Sequence, residues 1–148
     1  MSRVLIITGS KSDLEYAEKC QEQLAALGIQ SETEVSSAHR HPQKTAELAG
    51  KARENGYEVI IAMAGLSAAL PGAVAAHSNL PVIGVPLPAA LDGVDALLSV
   101  VQMPPGIPVA GVAIGFPGAK NAAILAARIL ALKYPHISAA LEEHRRKL

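Results

Sequence analysis

Residues 35–42 read VSSAHRHP, and this short stretch brings four chemically useful side chains together. Its most versatile member is His39, because histidine is the side chain best suited to proton transfer near neutral pH. Next to it, Arg40 can bind a phosphate or carboxylate through two parallel hydrogen bonds, and Ser36 and Ser37 add hydroxyls. A single loop histidine is more often solvated than catalytic, and we expect the neighbouring His41 to be exposed. The cluster nevertheless predicts an anion site that holds a proton-transfer group.

A second polar group, TGSKSD at 8–13, follows an apolar run at 4–8. A glycine and hydroxyls at the start of a helix favour anion binding, because backbone N–H groups and the helix dipole point outward there. The stretch matches neither G-x-G-x-x-G nor G-x-x-x-x-G-K-[ST], which excludes a dinucleotide or triphosphate loop of those kinds. Its Asp13 suits ribose hydroxyls. The alternative is that Ser12 or Asp13 only caps the helix.

A third group, AGLSAALPG at 64–72, combines small residues with one hydroxyl, that of Ser67. Small side chains allow the backbone to approach a ligand closely. The loops PLPAALDG and GFPGAKN further along the chain are also rich in small residues. Together the loops predict a shallow site for a phosphate and a sugar. No Cys, His and Asp grouping has metal-ligand spacing, and no Ser–His–acid order stands out.

The elements that must position these loops follow from hydrophobic patterning. Strands are predicted at 4–8, 31–35, 58–65, 80–86 and 107–115, and helices at 12–28, 42–55, 69–78, 91–103, 120–134 and 135–148. This alternation requires right-handed crossovers and a parallel sheet. We predict an α/β fold with three layers, a doubly wound, five-stranded, flavodoxin-like sheet of order 2-1-3-4-5, whose ligand site lies at the carboxyl ends of the strands. The weakly alternating second strand is expected nearer the sheet edge.

Composition limits the function classes. The 148 residues carry thirteen basic and thirteen acidic side chains and only 3% aromatic residues, which argues against a nucleic-acid or membrane partner. The single Cys20, expected in the core, fits a reducing compartment, and no signal peptide or membrane span is apparent. We therefore expect a cytoplasmic protein. The many alanines bury little area each, which favours a homo-oligomer.

We expect residues 1–148 to form a single catalytic domain, in which the charged segment 135–148 is a separate helix able to pack on a neighbouring subunit. The remaining histidines are not expected to act in a site. His77 is interpreted as a cap at the end of a short apolar helix, and His136 and His144 as solvated residues of the C-terminal segment.

Six motifs in order resemble the N5-carboxyaminoimidazole ribonucleotide (N5-CAIR) mutase and aminoimidazole ribonucleotide (AIR) carboxylase family of purine biosynthesis. They are GSKSD, SAHR, AGLSAALPG, LPVIGVP, LDGVDALLSVVQMPPGIPV and AIGFPGAKNAAILAA. The resemblance covers residues 4–132, which is nearly the whole chain. It implies a flavodoxin-like fold, usually assembled into an octamer, and a cofactor-free and metal-free transfer of a carboxylate on a ribonucleotide.

The resemblance also implies a mechanism. The carbamate on N5 is lost as carbon dioxide, which leaves AIR in a closed pocket, and the carbon dioxide then adds at C4 with loss of the C4 proton. By motif, His39 would donate a proton in the first step and accept one in the last. The phosphate would be held by Ser10, Ser37 and Arg40, and the ribose hydroxyls by Asp13. Further residues implied to line the site are Ser12, Ala38, Gly65, Ser67, Ala68 and Leu70.

One loop departs from the mutase pattern. AGLSAALPG places Ala69 where those enzymes carry a second histidine, and Ser67 is similar to the serine of the class that carboxylates AIR directly. That class tends to read SAHK, whereas this chain keeps Arg40. A mutase is the first hypothesis and a direct carboxylase the second. The third is a catalytically silent nucleotide-binding module, against which the intact His39 argues.

Overall fold

Strands and helices alternate along the chain in the computed structural model, which describes residues 3–148. The strands are β1 (Arg3–Thr8), β2 (Gln30–Val35), β3 (Val59–Gly65), β4 (Val82–Leu87) and β5 (Ala110–Gly111). The helices are α1 (Leu14–Ala26), α2 (Pro42–Lys51), α3 (Leu70–His77), α4 (Val94–Val101), α5 (Phe116–Ala131) and α6 (Pro135–Arg146), and a 3₁₀ turn spans Lys11–Asp13.

The five strands form one parallel sheet in the order β2-β1-β3-β4-β5. The predicted flavodoxin-like order is therefore confirmed, and so is the edge position of β2. That strand alternates between exposed and half-buried residues, because one of its faces packs against α1 while the other is open to solvent. In contrast, β3 and β4 are almost entirely buried, as expected for parallel strands covered on both faces.

Two apolar cores lie on opposite faces of the sheet. Because successive side chains of a strand point to opposite faces, Val4 and Ile6 enter one core while Leu5 and Ile7 enter the other. The first core is covered by α1, α5 and α6, and the second by α2, α3 and α4. Five buried alanines of α5 face the first core, and their small side chains let this helix lie close to the sheet and to α1. The three predicted layers are thus confirmed.

The fifth strand and the fourth helix are shorter than predicted. Residues 107–115 were expected to form a strand, yet only Ala110 and Gly111 pair with β4. Pro108 lacks an N–H, and an edge strand has only one neighbour with which to pair. The helix expected from residue 91 begins at Val94, because Leu91 and Asp92 adopt φ values of 51° and 55° that a right-handed helix does not allow.

Other boundaries move by a few residues. The fifth helix starts at Phe116 rather than at residue 120, since Pro117 is well suited to a first helical turn. The second helix ends at Lys51 rather than at residue 55. In the C-terminal helix, Ile137 is fully buried in the first core, which docks α6 on α5 of the same chain.

Candidate active site

Four loops at the carboxyl ends of β1 to β4 surround a pocket of about 540 Å³. Its lining residues are Gly9, Ser10, Ser12, Asp13, Ser37, Ala38, His39, Arg40, Ala64, Gly65, Leu66, Ser67, Ala68, Ala69, Leu70 and Ala89. The pocket is centred on β2, β1 and β3, where the direction of winding reverses. Ligands of doubly wound sheets bind at this switch point.

The loop after β1 presents two hydroxyls to the pocket. The Oγ atoms of Ser10 and Ser12 lie 2.6 Å apart, and the Thr8 hydroxyl donates to the Ser10 carbonyl over 3.2 Å. Neither Ser12 nor Asp13 makes a side-chain capping hydrogen bond to α1. Asp13 does occupy the N-cap position of α1, as the capping alternative predicted, but its side chain makes no capping hydrogen bond. The Ser10 and Ser12 hydroxyls contact each other and are not engaged in capping α1.

The Asp13 carboxyl is half-buried at the edge of the pocket. Burial raises the pKa of Asp13 above its ordinary value, because an ionised carboxylate loses hydration there; hydrogen bonds from Ser10 act in the opposite direction. A half-buried carboxylate that has lost hydration gains from hydroxyls brought by a ligand. This environment suits an acceptor for sugar hydroxyls.

The loop after β2 is anchored by hydrogen bonds to buried neighbours. Ser36 is buried, its Oγ lies 2.8 Å from Oγ1 of Thr45, and its N–H donates to the Thr8 carbonyl over 2.9 Å. Ser37 then shapes the turn: its Oγ accepts from the Arg40 N–H at 3.2 Å, and its carbonyl accepts from the His41 N–H at 2.8 Å. Ser36 is thus an anchor of the loop, while the Ser37 hydroxyl donates to no other residue within 3–148 and can donate to a ligand.

The consequence of this anchoring is that His39 and Arg40 project from a fixed turn. Both side chains are exposed and line the pocket. Among residues 3–148, neither side chain has a hydrogen-bond or ion-pair partner. An unpaired guanidinium beside three serine hydroxyls is well placed to bind a phosphate. A histidine with both ring nitrogens free can exchange a proton with a ligand in either direction.

The loop after β3 supplies a small-residue wall. A β-carbon on Gly65 would lie 3.3 Å from the Leu87 carbonyl, so a side chain would crowd the neighbouring strand. Ala68 and Leu70 are buried, whereas Ser67 and Ala69 are exposed to the pocket. The wall therefore combines backbone and methyl groups with one hydroxyl.

The residues that the sequence assigns to the site line this one pocket, with the exception of Ser36, which is buried beneath its loop. The loop after β5 does not line it, although the sequence predicted that loop for the same rim, because β5 lies at the far edge of the sheet. There Phe116 instead stacks on Tyr16 with ring centroids 4.4 Å apart. The prediction missed Gly9, Ala64, Leu66, Ala69 and Ala89 as lining residues. All five stand in loops that the sequence singles out, and Ala69 is the position where the resemblance implies a second histidine, but nothing in the local pattern marks the unusual backbone of Leu66.

The other singled-out residues lie outside the pocket. Cys20 is fully buried in the first core as predicted, and burial raises its pKa to about 12. His41 is exposed, as predicted. In the last turn of α3, a ring nitrogen of His77 lies 2.8 Å from the Ala73 carbonyl, which supports its interpretation as a cap. His136 is exposed, whereas His144 is half-buried rather than fully solvated.

Neither a metal-binding cluster nor a membrane-spanning helix occurs in the described part of the chain. Within residues 3–148, no three His, Cys, Asp or Glu side chains are grouped so that they could hold a metal ion. No helix in the same range has the length and apolar character needed to cross a bilayer.

The fold and the pocket define a doubly wound α/β protein whose switch-point site suits a small anionic ligand. Residues 3–148 match the family model for AIR carboxylase. The chain is 54% identical to N5-carboxyaminoimidazole ribonucleotide mutase of Saccharolobus solfataricus over 93% of this chain and 87% of that protein. It is 51% identical to the mutase of Thermotoga maritima, over 100% and 86% respectively. The crystal structure of Treponema denticola PurE superposes with a TM-score of 0.90 at 31% identity, covering 99% of this chain and 91% of that one. The chain belongs to the AIR carboxylase family.

Proposed function

We propose that this chain is an isomerase of purine biosynthesis, an N5-CAIR mutase that converts N5-CAIR into 4-carboxyaminoimidazole ribonucleotide (CAIR). Identity of about half the residues with proteins of that name, over nearly the whole chain, supports the proposal. The observation that carries it is the pocket, in which an unpaired histidine and arginine face a wall of small residues.

The first half-reaction breaks the bond between N5 and the carboxylate carbon. Protonated His39 donates to N5 while the electron pair of that bond stays on the nitrogen, and the carboxylate leaves as neutral carbon dioxide. AIR and carbon dioxide are then both bound, and His39 is neutral. The exposed ring of His39, free of protein partners, can reach a ligand without first breaking another hydrogen bond.

The second half-reaction forms the bond between C4 and carbon dioxide. The N5 lone pair pushes electron density to C4, which attacks the carbon of carbon dioxide. Neutral His39 then removes the proton from C4, which restores the aromatic ring and the protonated histidine. One side chain therefore serves both proton transfers, and the reaction needs no external acid or base.

The proposed binding groups hold the phosphate and ribose of the substrate, away from the reacting imidazole ring. Arg40 and the hydroxyls of Ser10 and Ser37 are proposed for the phosphate, and Asp13 for the ribose hydroxyls. Ser12 supports Ser10 through the 2.6 Å contact of their Oγ atoms. Such anchoring places C4 and the released carbon dioxide together, which replaces a bimolecular encounter by an oriented one.

A direct AIR carboxylase is the second candidate, favoured by one specific observation. Ala69 faces the pocket where a second histidine is expected from the resemblance, and Ser67 stands beside it. Both candidates share the product and the role of His39. They differ in whether the carbon dioxide is delivered on N5 or taken from solution.

Two parallel assays distinguish the candidates. Purified protein is given N5-CAIR alone, or AIR with bicarbonate, and CAIR is followed by its absorbance. A mutase turns over the first substrate rapidly and needs high bicarbonate for the second. The reverse preference establishes the direct carboxylase, whereas nucleotide binding without either reaction leaves only the binding module.

We also propose a homo-octamer, as the resemblance implies. Val94, Leu98 and Val101 form an exposed apolar stripe on α4, and β5 beside it is paired on one side only. Both features are suited to contact with another copy of the chain. Light scattering is expected to give the mass of eight chains, whereas a monomer of 15.3 kDa contradicts the assembly.

The expected organisation and compartment complete the proposal. We regard residues 1–148 as one catalytic domain, in which the outer face of α6 is open to a neighbouring subunit. The buried, unpaired Cys20 fits the reducing cytoplasm, where we expect the enzyme to work.

A further inference from the structure

Leu66 combines three features that rarely occur together. Its φ of 55° lies in the left-handed region that leucine seldom adopts. The residue is 57% exposed although its side chain is apolar, and it is one of the residues that line the pocket. Strained backbone that persists at a ligand site points to a functional constraint.

Hydrogen bonds in the following residues hold Leu66 in this position. Its carbonyl accepts from the Ala68 N–H at 2.9 Å, and the Ser67 carbonyl accepts from the Ala69 N–H at 2.6 Å. The Ala69 carbonyl then accepts from the Ala73 N–H at 2.9 Å, which ties the loop to α3. The isobutyl group is thus presented at the pocket by a short, pinned loop.

The proposed reaction creates a need for such a group. Carbon dioxide is small and uncharged and offers no hydrogen-bond donor, so the arginine and hydroxyls of the pocket cannot hold it strongly. Only close walls can keep it beside C4 until the new bond forms. Among the described residues that line the pocket, the other apolar side chains are alanines and the buried Leu70, so Leu66 is the one large apolar side chain that is exposed.

We infer that Leu66 is a positioning residue that covers the bound AIR and carbon dioxide and prevents the gas from escaping between the two half-reactions. This inference rests on the proposed mutase activity. It extends that proposal by assigning retention of the intermediate to one side chain of the AGLSAALPG loop to which the resemblance gives no role.

The test measures exchange of carbon dioxide with solution. Unlabelled N5-CAIR is converted in buffer containing ¹³C-bicarbonate, and the labelled fraction of CAIR is read by mass spectrometry at low conversion, with an enzyme-free blank. Variants Leu66→Gly and Leu66→Ala remove the cover. Leu91→Gly is the matched control, because Leu91 has a φ of 51° and is exposed but does not line the pocket.

The expected result is a several-fold rise of the labelled fraction in Leu66→Gly, a smaller rise in Leu66→Ala, and no change in Leu91→Gly. Both glycine variants should unfold no earlier than wild type, because glycine adopts a positive φ without strain. A wild-type labelled fraction in both Leu66 variants, with N5-CAIR turnover intact, overturns the role of Leu66 alone. A wild-type chain that converts no N5-CAIR overturns the proposed function together with this role.

Discussion

Replacing His39 by asparagine separates proton transfer from binding. Asparagine keeps hydrogen-bonding capacity but cannot exchange a proton near neutral pH. Because the His39 side chain is exposed and has no partner among residues 3–148, its loss removes no internal contact. We therefore expect the free energy of unfolding to change by no more than about 0.5 kcal/mol, as for ordinary surface substitutions.

The effect on turnover should be far larger. General acid–base catalysis contributes about 10²- to 10⁴-fold, and His39 is proposed for both proton transfers. A decrease of kcat by about 10³- to 10⁴-fold corresponds to about 4–5.5 kcal/mol of lost transition-state stabilisation. The Kd for AIR should change by less than about tenfold, since at most one neutral hydrogen bond is altered.

Three measurements on the same preparation check this reasoning: CAIR formation by absorbance, AIR binding by calorimetry, and thermal unfolding. His41→Asn is the matched control, because this neighbouring histidine is exposed but does not line the pocket; it should keep wild-type turnover. A kcat of His39→Asn within tenfold of wild type would refute the assigned role. So would a loss of AIR affinity that runs in parallel with the loss of activity.

Two further predictions concern substrate binding. Arg40→Ala should weaken nucleotide binding by about 1.5–3 kcal/mol, the usual contribution of hydrogen bonds to a charged group, whereas the control Arg128→Ala on α5 should leave binding unchanged. Calorimetry with AIR checks this. If Arg40→Ala binds AIR as tightly as wild type, Arg40 is not part of the site. Burial raises the pKa of Asp13 in the folded state, so the folded chain binds the Asp13 proton more tightly than the unfolded chain does. The free energy of unfolding therefore falls as pH rises from the ordinary pKa of 3.8 through the raised pKa of the folded state. Asp13→Asn should therefore resist urea better than wild type near neutral pH, lose this advantage in acid, and bind AIR more weakly; an advantage that grows in acid would contradict the argument.

Much of the architecture could be predicted because it depends on local patterns. A continuous apolar run such as β1 indicates a strand covered on both faces, and the alternation in β2 indicates an edge. Strictly alternating strands and helices then permit few topologies. The site loops were also predictable as a group, since all parallel strands end at the same edge of the sheet. The loop after β5 was the exception. It ends at the same edge of the sheet, but β5 is the outermost strand and lies too far along that edge to reach the pocket.

The fold class, the strand order and the loops that meet at the switch point thus follow from local sequence patterns. Tertiary structure decided how individual groups are used: Ser10 faces Ser12 instead of either serine capping a helix, and Ser36 reaches Thr45 across nine positions. It also decided the positive φ of Leu66. Hydrophobic periodicity is a property of residues that are close in sequence, so it can be recognised before the fold is known. The hydrogen-bond partner of a hydroxyl and the backbone strain of a loop depend instead on which distant segments pack around them.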